Sequence, residues 1–125
     1  RGSEGEWFAG ADLLLAAGDA DASQARIREL LNRRGESQPV SLPNAGSVFR
    51  NPPGDHAARL IEAAGMKGLC VGRACVSNLH ANFIVNEGGA TAEDIEVLIE
   101  RVRRRVLEQH GIALVPEVHV VGEPA

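Results

Sequence analysis

"TAEDIEVLIERVRRRVLEQHG", residues Thr91 to Gly111, decides the fold class. Ile95, Leu98, Ile99, Val102 and Val106 recur at helical spacing, and Thr91 with Asp94 forms a T-x-x-D start. Glu93, Asp94 and Glu96 lie early and Arg101, Arg103, Arg104 and Arg105 late, which suits the helix dipole; His110-Gly111 supplies the stop. The four arginines read as a solvated face rather than a phosphate site. On the N-terminal side, "KGLCVGRACVS" and "ANFIVN" read as short strands, with Gly72 breaking the first and "NEGGA" turning out of the second. On the C-terminal side, "IALVPEVHVV" reads as two short strands around Pro116. Strands beside a long amphipathic helix predict an α+β fold, a small sheet with about three helices packed against it.

Further upstream, Asp55 is the expected N-cap of a short helix carrying Ala57, Leu60, Ile61 and Ala64 and ended by Gly65. Asp21 to Arg34 predicts another helix, with Ala22, Ile27, Leu30 and Leu31 on one side and Gly35 at its end. "EWFAGADLLLAAGD", residues 6–19, reads as a buried strand entering a turn at Gly18-Asp19. "SQPVSLP" leads as loop into "NAGSVFRNPPGD", Asn44 to Asp55. That run is a poor helix and too broken for a long strand, because Gly46 frees the backbone while Pro52 and Pro53 each remove a donor. It is expected to be a rigid loop, either a plain turn between strand and helix or a carrier of function.

At 125 residues the chain is one domain by length, and 44% hydrophobic with 24% charged residues is ordinary for a globular protein. A net charge of -4 gives no reason to expect nucleic acid or an anionic membrane as partner. No apolar run approaches the roughly 20 residues that span a bilayer and no secretory signal pattern opens the chain, so a cytoplasmic location is expected. Cys70 and Cys75 are expected to be buried free thiols, since one C-x4-C pair is a weak metal signature; no metal site is expected. With aromatic content of 3% there is no stacking platform for bases or a flavin ring. The polar "RGSEGE" start without Met suggests a piece of something longer. Polar candidates for a site are Ser47, Asn51, His80, Asn82 and Glu117, the last a carboxylate inside a β-forming segment that is either solvent-facing or held for a purpose. Spacing alone names no reaction.

Taken together, "NAGSVFRNPPGDHAARLIEAAGMKGL", "VSNLHANFIVN" and "LVPEVHVVG" closely resemble the C-terminal substrate-binding domain of the UDP-N-acetylenolpyruvoylglucosamine reductase family, with order and spacing kept from about Glu6 to Gly122. The resemblance implies residues 1–40 as the end of an FAD-binding region with its linking helix, and residues 41–125 as the substrate-binding domain. It implies FAD and NADPH as cofactors of the full-length enzyme, with none bound by this piece alone, and UDP-N-acetylglucosamine enolpyruvate and the N-terminal FAD-binding domain as partners. NADPH reduces FAD in the family; hydride then passes to the enolpyruvyl methylene, the neighbouring carbon is protonated, and UDP-N-acetylmuramate results. By resemblance Ser47 is the proton donor and Glu117 works at the substrate carboxyl together with an arginine outside this sequence. Asn51 contacts the nucleotide-diphosphate part, Arg50 suits phosphate beside it, and His80 falls at a polar substrate-contacting position. Arg73 departs from the family's frequent second glycine and Cys75 from its frequent glutamine. The alternative from another class is a non-catalytic nucleotide-sugar-binding or interaction module that has lost its flavin domain.

Overall fold

The computed structural model describes residues 9–122, and within them the order is α1 (Ala20–Ser37), β1 (Asn44–Ser47), α2 (Ala57–Ala63), β2 (Cys70–Val71), β3 (Ala74–Val76), β4 (Phe83–Asn86) and α3 (Ala92–His110). The four strands form one antiparallel sheet in the order β1-β4-β3-β2. The expected α+β class is therefore observed.

α3 forms as its sequence dictates. The Thr91 hydroxyl accepts from the Asp94 N–H while the Asp94 carboxylate accepts from the Thr91 N–H, and Gly111 closes the other end in the left-handed region. Leu98, Ile99, Val102 and Val106 are buried against Leu60 and Ile61 of α2, Val76 and Ile84 of the sheet, and Phe49 and Leu114 of the flanking loops. Gly72, in the β2–β3 turn, abuts the Asp94 carboxylate so closely that no side chain fits between turn and cap. Hairpin and helix are thereby interlocked. Arg73 beside it donates to the carbonyls of Glu87 and Gly88, tying the turn to the end of β4.

Five expectations are corrected. Residues 9–19 form no strand: they have no regular structure, and Leu13, Leu14 and Leu15 are exposed. A strand needs a neighbour for its peptide groups, and none lies beside this stretch among the described residues; Trp7 and Phe8 lie outside those residues. α1 runs through Gly35 to Ser37, because the stop comes from Pro39, whose ring forces Gln38 into extended geometry at φ -132° and ψ 145°. "NAGS" is a strand rather than loop, paired with β4. The tail contributes a single bridge, Phe49 to Pro116, since Pro116 has no N–H with which to extend a ladder. Cys70 and Cys75 are disulfide-bonded, not free, and Cys70 is exposed; the two face one another directly across β2 and β3.

Candidate functional site

β1 contains one more residue than the stretch of β4 it faces: Asn44 pairs with Val85 but Ser47 with Phe83. This bulge is built by an Asx turn, in which the Asn44 carboxamide oxygen accepts from the Gly46 N–H at 2.9 Å, and by Gly46 at φ +81°, where a side chain would be strained. The bulge breaks strict alternation. Val48 and Phe49 both enter the core, while Ser47 and Arg50 on either side stay exposed. A serine hydroxyl and a guanidinium are thus displayed on a backbone anchored by two buried side chains.

Beyond Ser47 this backbone is held from both edges. On one, the Val48 N–H donates to the Asn82 carbonyl at 2.9 Å; on the other, Glu117 N–H donates to the Val48 carbonyl at 2.8 Å and Arg50 N–H to the Val115 carbonyl at 2.9 Å. These bonds bring Glu117 beside the Ser47 loop although the two residues are far apart in sequence. Glu117 is exposed, as the plain strand reading also expects. Ser47, Arg50 and Glu117 make no side-chain hydrogen bond or ion pair with any described residue, which leaves a donor, a cation and a carboxylate unspent on one edge of the fold.

Asn51 spends one end of its side chain on the fold. Its side-chain oxygen accepts from the Ala57 N–H at 3.0 Å, so it caps α2 from six residues upstream, across the Pro53-Gly54 turn closed by Asp55 N–H to the Pro52 carbonyl. Asp55, the expected cap, instead accepts from the His56 N–H and pairs with Arg59, and the first residue before the helix is His56. The Arg59 guanidinium, with help from the His56 N–H, holds the Asp55 carboxyl well below the usual carboxylate range, and Asp55 in turn pushes Arg59 up. The Asn51 carboxamide nitrogen remains available at the rim. His80 is half-buried; its ring packs edge-on to Phe83 with centroids 4.8 Å apart, and Nδ1 accepts from the Asn82 N–H at 3.3 Å, which leaves Nε2 as the outward donor in the neutral ring.

A groove of about 420 Å³ adjoins this edge, between β1, α3 and the tail, and is lined by Val48, Ile84, Ile95, Ile99 and Val118 among others. It contains none of Ser47, Arg50, Asn51, His80 and Glu117. Its polar groups are Asn44, Asn86, Glu96 and His119; with no arginine, lysine, Phe, Tyr or Trp it fits neither a pyrophosphate nor a flavin ring. Among the described residues no three His, Cys, Asp or Glu side chains gather as metal ligands, and no helix is long and apolar enough to cross a membrane.

Residues 38–121 match the family model described as UDP-N-acetylenolpyruvoylglucosamine reductase, C-terminal domain. The chain is 64% identical over 122 residues to the UDP-N-acetylenolpyruvoylglucosamine reductase of Alkalilimnicola ehrlichii, covering 98% of this chain and 41% of that protein. It is 60% identical to the enzyme of the same name from Methylococcus capsulatus, covering 98% of this chain and 40% of that protein. The solved structure of UDP-N-acetylenolpyruvylglucosamine reductase (MurB) from Thermus caldophilus is similar with a TM-score of 0.64 and 41% identity, over 79% of this chain and 34% of that one. The chain thus spans about two-fifths of the curated relatives it matches. With sequence, fold and residue order in agreement, the chain belongs to the family of UDP-N-acetylenolpyruvoylglucosamine reductase C-terminal domains.

Proposed function

We propose that residues 41–125 are the substrate-binding part of a cytoplasmic reductase that converts UDP-N-acetylglucosamine enolpyruvate to UDP-N-acetylmuramate for peptidoglycan synthesis. Residues 1–40 then belong with the FAD-binding region. The exposed Leu13, Leu14, Leu15, Ile27, Leu30 and Leu31 support that division, since so much apolar surface is suited to burial against another part of the enzyme. FAD and NADPH, held by the rest of the enzyme, supply the hydride; this chain acts on the substrate.

Hydride addition at the methylene carbon pushes the double-bond electrons toward the neighbouring carbon and its carboxylate, giving an enolate-like anion. Ser47 gives its hydroxyl proton to that carbon, forming the C–H bond, and the alkoxide it becomes is reprotonated from solvent. A hydroxyl is a weak acid, so it serves only if aimed at the carbon, and anchoring by Val48 and Phe49 supplies the aim. Glu117, protonated or paired with an arginine from the rest of the enzyme, faces the growing negative charge at the carboxyl. Arg50 and the Asn51 carboxamide nitrogen address the diphosphate, and the outward His80 Nε2–H a neighbouring polar group. The observation that carries this reading is the Glu117-to-Val48 hydrogen bond, which sets the segment bearing the carboxylate against the serine loop. The test is Ser47→Ala in the full-length enzyme. The substrate-dependent step should slow by roughly 10²- to 10⁴-fold while flavin reduction by NADPH is retained. Equal losses in both steps would make Ser47 a folding residue.

A further inference from the structure

Asn82 is almost fully buried, with 4% exposure, and spends both ends of its side chain on one residue of the serine loop. Its Oδ1 accepts from the Phe49 N–H at 3.0 Å and its Nδ2 donates to the Phe49 carbonyl at 2.8 Å. Its own carbonyl accepts from the Val48 N–H, and its own N–H reaches His80 Nδ1. The pairing of β1 with β4 ends at Ser47 and Phe83. Past the Val48 N–H bond to the Asn82 carbonyl the chain before β4 turns away through His80, and the Asn82 carboxamide supplies the rung at Phe49 in place of backbone. Few side chains can do this. A carboxamide presents a donor and an acceptor side by side; Asp lacks the donor, Leu both, and Gln is one methylene too long.

We propose that Asn82 is a positioning residue for the chemistry: it fixes the Val48–Arg50 backbone against the Val115–Glu117 segment, so that Ser47 and Glu117 address the same substrate. This rests on the reading of Ser47 given above. Val48 and Arg50 are held by the tail, and Val48 also by the Asn82 carbonyl, whereas both Phe49 backbone groups are held by the Asn82 side chain. Without it the buried Phe49 N–H and carbonyl would lack partners, and the loop would shift to hydrate them. A misplacement of about 1 Å in a positioned catalytic group costs up to roughly 10²-fold in rate. The contact to His80 Nδ1 comes from the Asn82 backbone N–H, which any residue at this position except proline retains, so a change of side chain acts on the Phe49 rung.

The experiment compares Asn82→Ala, Asn82→Asp and Ser47→Ala in the full-length enzyme, with folding checked by circular dichroism. Asn82→Ala should slow the substrate-dependent step by roughly 10- to 100-fold and leave the NADPH-dependent step within about twofold. Asn82→Asp retains the acceptor for the Phe49 N–H but sets a carboxylate oxygen against the Phe49 carbonyl. It should be slow at neutral pH and recover part of the loss on acidification, as the buried carboxyl protonates and regains a donor. A substrate-dependent step that is unchanged in Asn82→Ala while slow in Ser47→Ala overturns the positioning role alone. An unchanged step in Ser47→Ala overturns the reading of Ser47 itself. If Asn82→Ala does not fold, Asn82→Asp is judged by the same two steps and its acid recovery; if neither folds, Asn82 serves the fold and the proposal fails.

Discussion

α1 and α3 have almost the same length, 18 and 19 residues, and each is started by a side-chain cap, Asp19 for one and Thr91 for the other. They differ in what they bury. α3 sends Leu98, Ile99, Val102 and Val106 into the core, whereas α1 buries no residue although it carries Ile27, Leu30 and Leu31. Capping and exposed pairs such as Arg26 and Arg33 with Glu29 contribute only tenths of a kcal/mol each, and an isolated helix of this length is marginal in water. Local signals therefore specify where a helix starts and ends, and only burial makes it a load on the fold. In the proposed enzyme α1 finds its partner in the FAD-binding region, while α3 finds its own within the chain.

The comparison breaks most visibly on truncating one leucine from each helix. Leu98→Ala should cost about 2–5 kcal/mol in urea unfolding of this chain, because a fully buried side chain leaves a cavity, whereas Leu30→Ala should stay within about 0.5 kcal/mol. In the full-length enzyme the Leu30 change should become destabilising. Equal effects on this chain would contradict the division.

What was legible in the sequence follows the same line. The ends and buried face of α3 could be read because Thr91, Asp94, Gly111 and the apolar spacing all act within one element. The β2–β3 hairpin could be read from Gly72 for the same reason. The segment before α1 could not: Leu13 to Leu15 look like a buried strand, yet a strand exists only where an edge receives it. The cap of α2 is not legible locally, because Asp55 is adjacent in sequence while Asn51 becomes adjacent only through the proline turn. The cysteine pairing depends on strand register, which composition does not carry. At the site, family resemblance is what points to Ser47, Arg50, Asn51 and Glu117, whose roles remain part of the proposal, while the bonds that join Glu117 and Asn82 to the loop are long-range and needed the fold.

A smaller effect concerns ion pairs, which both regions carry on their surfaces. Asp55 is held below the usual carboxylate range by Arg59, so the contribution of its ionised form is present at neutral pH. It should be lost as pH falls below the ordinary carboxyl value of about 4 toward the depressed folded value. Comparing urea midpoints of the wild type and Asp55→Asn, the gap should be small, screened by salt, and shrink on acidification. A gap that widens in acid would contradict the assignment. The α1 pairs have no such coupling to a buried element.

The most direct measurement is hydrogen exchange on the full-length enzyme with and without UDP-N-acetylglucosamine enolpyruvate. If Ser47 and Glu117 form one substrate-facing edge, added substrate should slow exchange at residues 44–51 and 115–118 together, leaving the second half of α3 unchanged. Protection confined to one of the two segments, or appearing along α3 instead, would contradict the account.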